Sequence, residues 1–328
     1  MTKKLVSLVI PCFNEELVLD ELFKRTGAAI AGIKDKDLNF EVIMIDDGSK
    51  DGTLNLIKKQ SELDSRYKFV SFSRNFGHQA AVSCGLKYSK GDAVIVLDAD
   101  LQDPPEVIFK YIEKWREGYQ VVYAIRTNRK ENFIKKFFYW LFYRFLKSIV
   151  EIDIPLDSGD FSLMDRKVVD IINSMPERNR FIRGMRSWTG FSQIGVPYER
   201  DARLNGNSKY TIKKLLKLGM DGVISFSTFP LTLCINIGVF IFIISLLGIL
   251  FTFIQRIFSD YFSSIGLAPS PGFATIVISI LFLGGIQLFF MGILGSYIVR
   301  IFDEVKARPS WVIKDQKGLN EKKIVNTY

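Results

Sequence analysis

Histidine and cysteine are scarce in this chain, and their scarcity limits the chemistry that it can perform. Its one histidine, His78, excludes a cluster of histidine metal ligands and a catalytic pair of histidines. Its three cysteines, Cys12, Cys84 and Cys234, form no CxxC pair, which argues against a disulfide framework or a zinc site. The motifs GxGxxG and GxxxxGKS/T are also missing, so the two familiar glycine-rich cradles for nucleotides are excluded.

Charged residues are absent from two long stretches near the end of the chain, Phe229 to Ile254 and Phe273 to Val299. About 26 helical residues span about 39 Å, which exceeds the ~30 Å hydrocarbon core of a bilayer. We therefore predict two transmembrane helices, 229–254 and 273–299, joined by an external link over residues 255–272. Lysine and arginine crowd the outer flanks of both stretches, so the positive-inside rule places both termini in the cytoplasm.

Residues 1–200 have the alternating pattern of an α/β domain. Short apolar runs of β type are separated by segments long enough for helices, and these runs are "LVSLVI", "FEVIMI", "YKFVSF", "DAVIVL" and "YQVVYA". This pattern predicts a mostly parallel sheet. Basic and aromatic residues interleave in residues 126–147, and residues 201–228 form a similar juxtamembrane amphipathic segment, so both are predicted to lie at the membrane surface. Residues 300–328 are predicted to be a cytoplasmic tail.

Polar motifs follow three of the predicted strands: "PCFNEE", "DDGSKDGT" and "DADLQD". Because ligands of parallel sheets gather at the carboxyl ends of the strands, these motifs predict one shared site. Asp98, Asp100 and Asp103 would repel one another unless a cation lies close by, and carboxylates beside a nucleotide diphosphate suit a divalent metal. The alternative is that each motif only caps the following helix, but three such strand ends together favour a binding site.

Four motifs, "VIPCFNEE", "IDDGSKDGT", "SRNFGHQAA" and "DADLQDPPE", resemble in order and spacing the family 2 inverting glycosyltransferases. The similarity is greatest to the polyprenyl-phosphate glycosyltransferases, which include dolichyl-phosphate mannose synthase and the bacterial undecaprenyl-phosphate (bactoprenol) glucosyltransferases. It extends over essentially the whole chain, including "RLNGNSKY" and "KARPSW". The resemblance implies a GT-A fold, Rossmann-like with a mostly parallel sheet, followed by two transmembrane helices.

The resemblance also assigns roles to individual residues. The residues implied to contact the nucleotide-sugar are Pro11, Phe13, Glu15, Ile45, Asp47, Asp98, Ala99 and Asp100. Asp98 and Asp100 match the DxD motif of the family and Gln102 matches a further metal position, which implies Mg²⁺ or Mn²⁺ as cofactor. Family positions that hold phosphates match Arg126, Arg203 and Lys209, whose charges suit phosphate binding.

Asp157, in "PLDSGDF", aligns loosely with an aspartate of dolichyl-phosphate mannose synthase. A phosphate acceptor is already largely dianionic at neutral pH, so it can attack without proton removal. We therefore predict a positioning or facultative base role for Asp157, with Asp100 as the other catalytic residue. His78 stands where some relatives have lysine, and the sequence favours a helix N-terminal residue without a chemical role.

The implied reaction is inverting transfer of a hexose from a nucleotide-sugar to undecaprenyl phosphate on the cytoplasmic face of the membrane. UDP-glucose is the preferred donor, and GDP-mannose or a UDP-amino-arabinose derivative is the alternative. An alternative from another class is a membrane-anchored nucleotide-sugar-binding protein without catalysis. The net charge of +9 does not favour nucleic acid, because lysine and arginine cluster beside the membrane segments. The glycines of the second span permit close helix packing, either between copies of the chain or against its own first span, and the resemblance favours a homo-oligomer, with a tetramer as one form.

Overall fold

The computed structural model describes residues 3–33, 35, 37–127, 158–199, 229–266 and 272–319. The chain divides into two compact units. The first comprises Met1–Gly222 together with Ala307–Tyr328, and the second comprises Val223–Lys306.

The described part of the first unit is built on an eight-stranded sheet. Its strands are β1 (Lys4–Cys12), β2 (Leu38–Asp46), β3 (Tyr67–Phe72), β4 (Ala93–Val96), β5 (Val121–Thr127), β6 (Ser158–Asp165), β7 (Gln193–Glu199) and β8 (Ile313–Lys317). Their order across the sheet is β7-β5-β6-β4-β1-β2-β3-β8. Strand β1 pairs in parallel with β2 and β4, β2 with β3, and β5 with β7, whereas β6 and β8 pair antiparallel. The five strands expected from the sequence and the mostly parallel sheet are confirmed.

Helices follow the strands and bury the sheet. They are α1 (Leu19–Gly32), α2 (Thr53–Leu63), α3 (His78–Tyr88), α4 (Ile108–Arg116), α5 (Arg166–Ser174) and α6 (Ile182–Trp188), with a 3₁₀ turn over Pro105–Val107. Strand β4 is buried along its whole length, as expected for a parallel strand covered on both faces. The buried positions of α1 recur three to four residues apart, so one face of this helix packs on the core.

The segment after the long apolar helices returns to the sheet. The sequence predicts a tail from residue 300, but Ile313–Lys317 forms the edge strand β8 beside β3. Lys58 Nζ lies 2.5 Å from Asp315 Oδ2. The ring of Trp311 stacks on Phe72, with centroids 6.2 Å apart. Residues from both ends of the sequence therefore build the first unit.

The second unit contains α7 (Phe229–Ile257), α8 (Ser259–Ser264) and α9 (Phe273–Val305). Both apolar stretches are thus helical, and the second helix continues to Val305, beyond the predicted end at residue 299. Among the described residues, one segment, Phe282–Val305, is long and apolar enough to cross a membrane, with a mean hydropathy of 1.8. The number of spans therefore stays a prediction.

Candidate active site

The three polar motifs meet at one edge of the sheet. Strand β1 lies between β2 and β4, and all three run in parallel, so the loops that follow them emerge on the same side. The first two loops are hydrogen-bonded together: the N–H of Asn14 donates to Ser49 Oγ at 3.0 Å, and the N–H of Lys50 donates to Asn14 Oδ1 at 2.9 Å. Motifs that are 35 residues apart in the sequence therefore form one surface.

The predicted nucleotide contacts of the first loop lie beside the second strand. Pro11 is paired with Ile45 in the register of β1 and β2, and Phe13 and Glu15 are partly exposed in the loop that follows. Ile45 is fully buried in a cluster with Phe72 and the residues of α3. Its side chain thus belongs to the core, and its place beside a nucleotide base stays a prediction.

Asp47 holds the start of helix α3. Its buried carboxylate accepts the N–H of Phe76 at 2.7 Å and the N–H of Gly77 at 2.9 Å. Burial raises the pKa of Asp47, and the two backbone donors oppose that rise. Gly77 has φ of 102°, a region that favours glycine. The Asp47 carboxylate and this backbone turn together set the position of His78.

Asp98 has the environment of a cation ligand. Its Oδ1 is buried and accepts no hydrogen bond from the part of the chain that the structure describes. Burial raises the pKa of Asp98 to about 6, with His78 opposing the shift and Asp160 adding to it. A buried carboxylate oxygen without a donor is costly, and a bound cation would compensate for that cost.

The residues after Asp98 fit a divalent metal that binds together with a diphosphate. Asp100 Oδ1 accepts the N–H of Gln102 at 3.1 Å, so both residues are held in one turn. Within the described ranges, no group of three or more His, Cys, Asp or Glu residues could hold a metal alone. Mg²⁺ usually takes one or two carboxylates and completes its shell with substrate phosphates and water. Asp98 and Asp100 would supply such a pair, and their roles as ligands, like that of Gln102, stay predictions.

The third carboxylate of the motif, Asp103, has a different role. It is fully buried, and its Oδ1 accepts the hydroxyl of Tyr198 in β7. Tyr198 is in turn the register partner of Arg126 in β5. Asp103 therefore fixes the loop of the acidic motif to β7, whose residue Tyr198 is paired with Arg126.

A cluster beside Asp98 combines residues that the sequence analysis missed. His78 Nε2 lies 3.7 Å from Asp98 Oδ1 and 3.3 Å from Asp160 Oδ2. Arg183 holds Asp160 in a bidentate pair, with Nε to Oδ1 at 2.7 Å and Nη2 to Oδ2 at 3.1 Å. The sequence did contain a signal for Asp160, because it is the second acidic residue of "DSGD", three residues after Asp157. The structure thus gives His78 contacts at the site that the sequence did not predict.

The charges of this cluster depend on one another. Burial acts to lower the pKa of His78, but Asp160 and Asp98 raise it to about 9. Burial acts to raise the pKa of Asp160, but Arg183 and His78 hold it well below its ordinary range. Two cationic side chains thus surround an ionised carboxylate at the edge of the acidic motif.

The side chains of four other predicted site residues are not among those that the structure describes. Asp157, Arg203 and Lys209 lie outside the described residues, and Arg126 is described by the backbone of β5. Their predicted roles stay predictions.

Known proteins of similar sequence show the family to which this chain belongs. The family described as "Glycosyl transferase family 2" matches residues 7–172, and the chain belongs to this family. It is 45% identical over 97% of its length to the uncharacterized glycosyltransferase YkcC of Bacillus subtilis, of which 96% is covered. It is 41% identical over 95% of its length to the bactoprenol glucosyl transferase of Shigella phage SfX, of which 99% is covered.

A solved structure of glucosyl-3-phosphoglycerate synthase from Mycobacterium tuberculosis is a distant match. The two chains are 18% identical with a TM-score of 0.44, and the match covers 68% of this chain and 79% of that one.

Proposed function

We propose that this chain transfers a hexose, with glucose from UDP-glucose as the favoured case, to undecaprenyl phosphate. The observation that carries the proposal is the similarity over nearly the whole chain to a bactoprenol glucosyl transferase, at 41% identity. The acidic edge of the sheet supports it, because Asp98 has a buried oxygen without a hydrogen-bond donor and Asp100 follows it at the end of a central strand, where ligands of such sheets gather.

Different residues of the site would bind the metal ion and the nucleotide in such a transfer. Asp98 and Asp100 would hold Mg²⁺ or Mn²⁺, which when bound neutralises charge on the departing nucleotide. The loops after β1 and β2 are fixed to each other and would hold the nucleotide. The acceptor phosphate, with a second pKa near ~6, attacks the sugar carbon as a dianion and inverts its configuration.

The membrane arrangement is part of the same proposal. The helices over residues 229–254 and 273–299 cross the cytoplasmic membrane, and both termini lie in the cytoplasm. The basic segments 126–147 and 201–228 bind the anionic surface, which brings a lipid phosphate to the catalytic domain. A homo-oligomer formed through the glycines of the second span stays a prediction.

The test is a transfer assay with the full-length protein purified in detergent. Undecaprenyl phosphate is incubated with UDP-glucose, GDP-mannose or a UDP-amino-arabinose derivative, and the lipid product is identified by mass. We expect undecaprenyl-phosphate glucose and UDP from the first donor. Product from another donor alone would replace glucose as the sugar, and tight binding of every donor without any product would refute catalysis.

Replacement of Asp157 tests whether the acceptor needs a base. We expect Asp157→Asn to lower the rate roughly 10- to 100-fold near neutral pH, which is no more than the smallest usual contribution of a general base, about 100-fold. The activity should recover in part as the pH rises above ~6, because more of the phosphate becomes dianionic without help. Rates measured from pH 5.5 to 8.5 check this expectation. A variant that binds both substrates but is inactive at every pH would make Asp157 an obligatory base.

A further inference from the structure

Asn14 lies just beyond the point where the pairing of β1 with β2 ends. The ladder reaches Cys12, whose carbonyl accepts the N–H of Asp47 at 2.9 Å. Beyond this point Asn14 joins the two chain segments through other groups. Its N–H donates to Ser49 Oγ at 3.0 Å, and its Oδ1 accepts the N–H of Lys50 at 2.9 Å. One residue thus supplies both a donor and an acceptor to the loop that follows β2.

The backbone of Asn14 is left-handed, with φ of 54°. Asparagine adopts this region more readily than most residues that have a side chain. The position therefore makes two demands, a left-handed backbone and a side-chain acceptor for the N–H of Lys50. Glycine would meet only the first demand and alanine would meet neither, whereas asparagine meets both.

The two neighbours of Asn14 in the sequence are the predicted nucleotide contacts Phe13 and Glu15. Both are half-buried, whereas Asn14 is exposed. The N–H of Glu15 donates to Thr53 Oγ1 at 2.9 Å, at the start of α2. Because the turn at Asn14 sets the direction of the backbone on either side, it determines how Phe13 and Glu15 lie relative to each other.

We propose that Asn14 is a positioning residue that holds Phe13 and Glu15 in place for the nucleotide of the donor. This inference rests on the proposed function, because that function assigns these two residues to a nucleoside diphosphate. A loop that is ordered beforehand binds its ligand more tightly, since less conformational entropy is lost on binding. Asn14 acts through its neighbours, so the role requires no contact between Asn14 and the nucleotide.

The surroundings of Asn14 argue for this role over a purely structural one. Asn14 is exposed, and one hydrogen bond at the surface contributes little to the stability of a whole domain. The same two loops are also joined further along the chain, where the N–H of Glu16 donates to Asp51 Oδ2 at 3.3 Å and the N–H of Gly52 donates to Glu16 Oε2 at 2.9 Å. Replacement of Asn14 should therefore loosen the turn without unfolding the domain.

The test measures the affinity of the full-length protein in detergent for UDP, by isothermal titration calorimetry with Mn²⁺ present. Asn14→Ala removes the acceptor and disfavours the left-handed backbone. We expect about 10- to 100-fold weaker binding, which corresponds to the entropy of ordering one or two residues. Asn14→Asp retains an acceptor oxygen and tolerates the left-handed region, so it should stay within about threefold of the unchanged protein. Titrations in about 1 M salt, where charges are screened beyond ~3 Å, limit the effect of its added charge on the diphosphate.

The control is Asn173→Ala. Asn173 Nδ2 donates to the carbonyl of Leu86 at 3.2 Å and joins α5 to α3, so its loss removes a comparable hydrogen bond outside the two loops. This variant should bind UDP like the unchanged protein, and thermal unfolding of each variant verifies its fold.

Unaltered affinity in Asn14→Ala would overturn the proposal. So would equal weakening in Asn14→Ala and Asn14→Asp, or the lack of UDP binding by the unchanged protein. The measurement uses neither sugar nor lipid, so UDP binding as expected without hexose transfer would refute only the proposed function.

Discussion

Asp100→Asn should lower the rate of hexose transfer by about 100- to 1,000-fold. A metal ion at a departing diphosphate supplies several kcal/mol of transition-state stabilisation, and about 1.4 kcal/mol corresponds to a factor of ten in rate. The asparagine has nearly the same size, and its carbonyl oxygen can still accept the N–H of Gln102, which Asp100 accepts at 3.1 Å. The loop should therefore keep its shape while the site loses a negative charge. Initial rates over a range of Mn²⁺ concentrations measure the effect.

Asp170→Asn is the control for this change. Asp170 lies on α5, is 64% exposed and pairs with Arg166 at 3.4 Å, so its loss removes an acidic charge outside the motif. Its transfer rate should equal that of the unchanged protein. If Asp100→Asn also turned over normally, with the same dependence on Mn²⁺, the assignment of Asp100 to the metal would be wrong.

Gly48→Ala should destabilise the catalytic domain by roughly 2 to 5 kcal/mol, the sum of a left-handed backbone penalty and of overpacking. Gly48 has φ of 68°, and a Cβ atom there would lie 2.4 Å from the carbonyl carbon of Arg74. The atoms that the added methyl group would contact belong to the backbone of Arg74, so they cannot move away by a change of rotamer, as a side chain could. The chain that it would push leads directly into Phe76 and Gly77, which Asp47 holds. Thermal unfolding followed by circular dichroism measures the loss.

Gly190→Ala separates the penalty for the left-handed backbone from the cost of overpacking. Gly190 has φ of 71°, and a Cβ atom at this position meets nothing within 4 Å. It should therefore cost only the backbone penalty, roughly 1 to 2 kcal/mol. Equal unfolding midpoints for the two variants would mean that the chain around Arg74 yields to the added methyl group.

The centre of the sheet was predictable because its strands are buried on both faces. Strand β4 therefore reads as a continuous apolar run, and β1, β2 and β3 are mostly apolar, whichever helices cover them. Strand β8 has the sequence "IKDQK", which carries no apolar pattern of its own. It is a strand because β3 offers it an open edge and because Leu319 is buried in the cluster with Phe72. Such tertiary stabilisation cannot be deduced from local propensity.

The placement of the acidic motif at the edge of the sheet was predictable, because the motif follows a strand directly. The positions of Asp98 and Asp100 after β4 required only the rule that ligands gather at strand ends. The contact between His78 and Asp160 required more, because these residues are 82 positions apart and belong to different elements. It forms because β6 enters the sheet antiparallel, beside β4. Nothing in a single sequence specifies that pairing.

The edge strand β8 has a consequence for the order in which the protein is made. A ribosome synthesises the amino-terminal part first, and domains generally begin to fold as they emerge. The edge of β3 that pairs with β8 therefore keeps unpaired backbone groups until residues 313–317 have been synthesised, after both long apolar helices. An open strand edge is a template for wrong pairing between chains. A protein cut before the apolar helices would keep that edge open permanently, so a soluble fragment of the catalytic domain needs its last strand joined back by a linker.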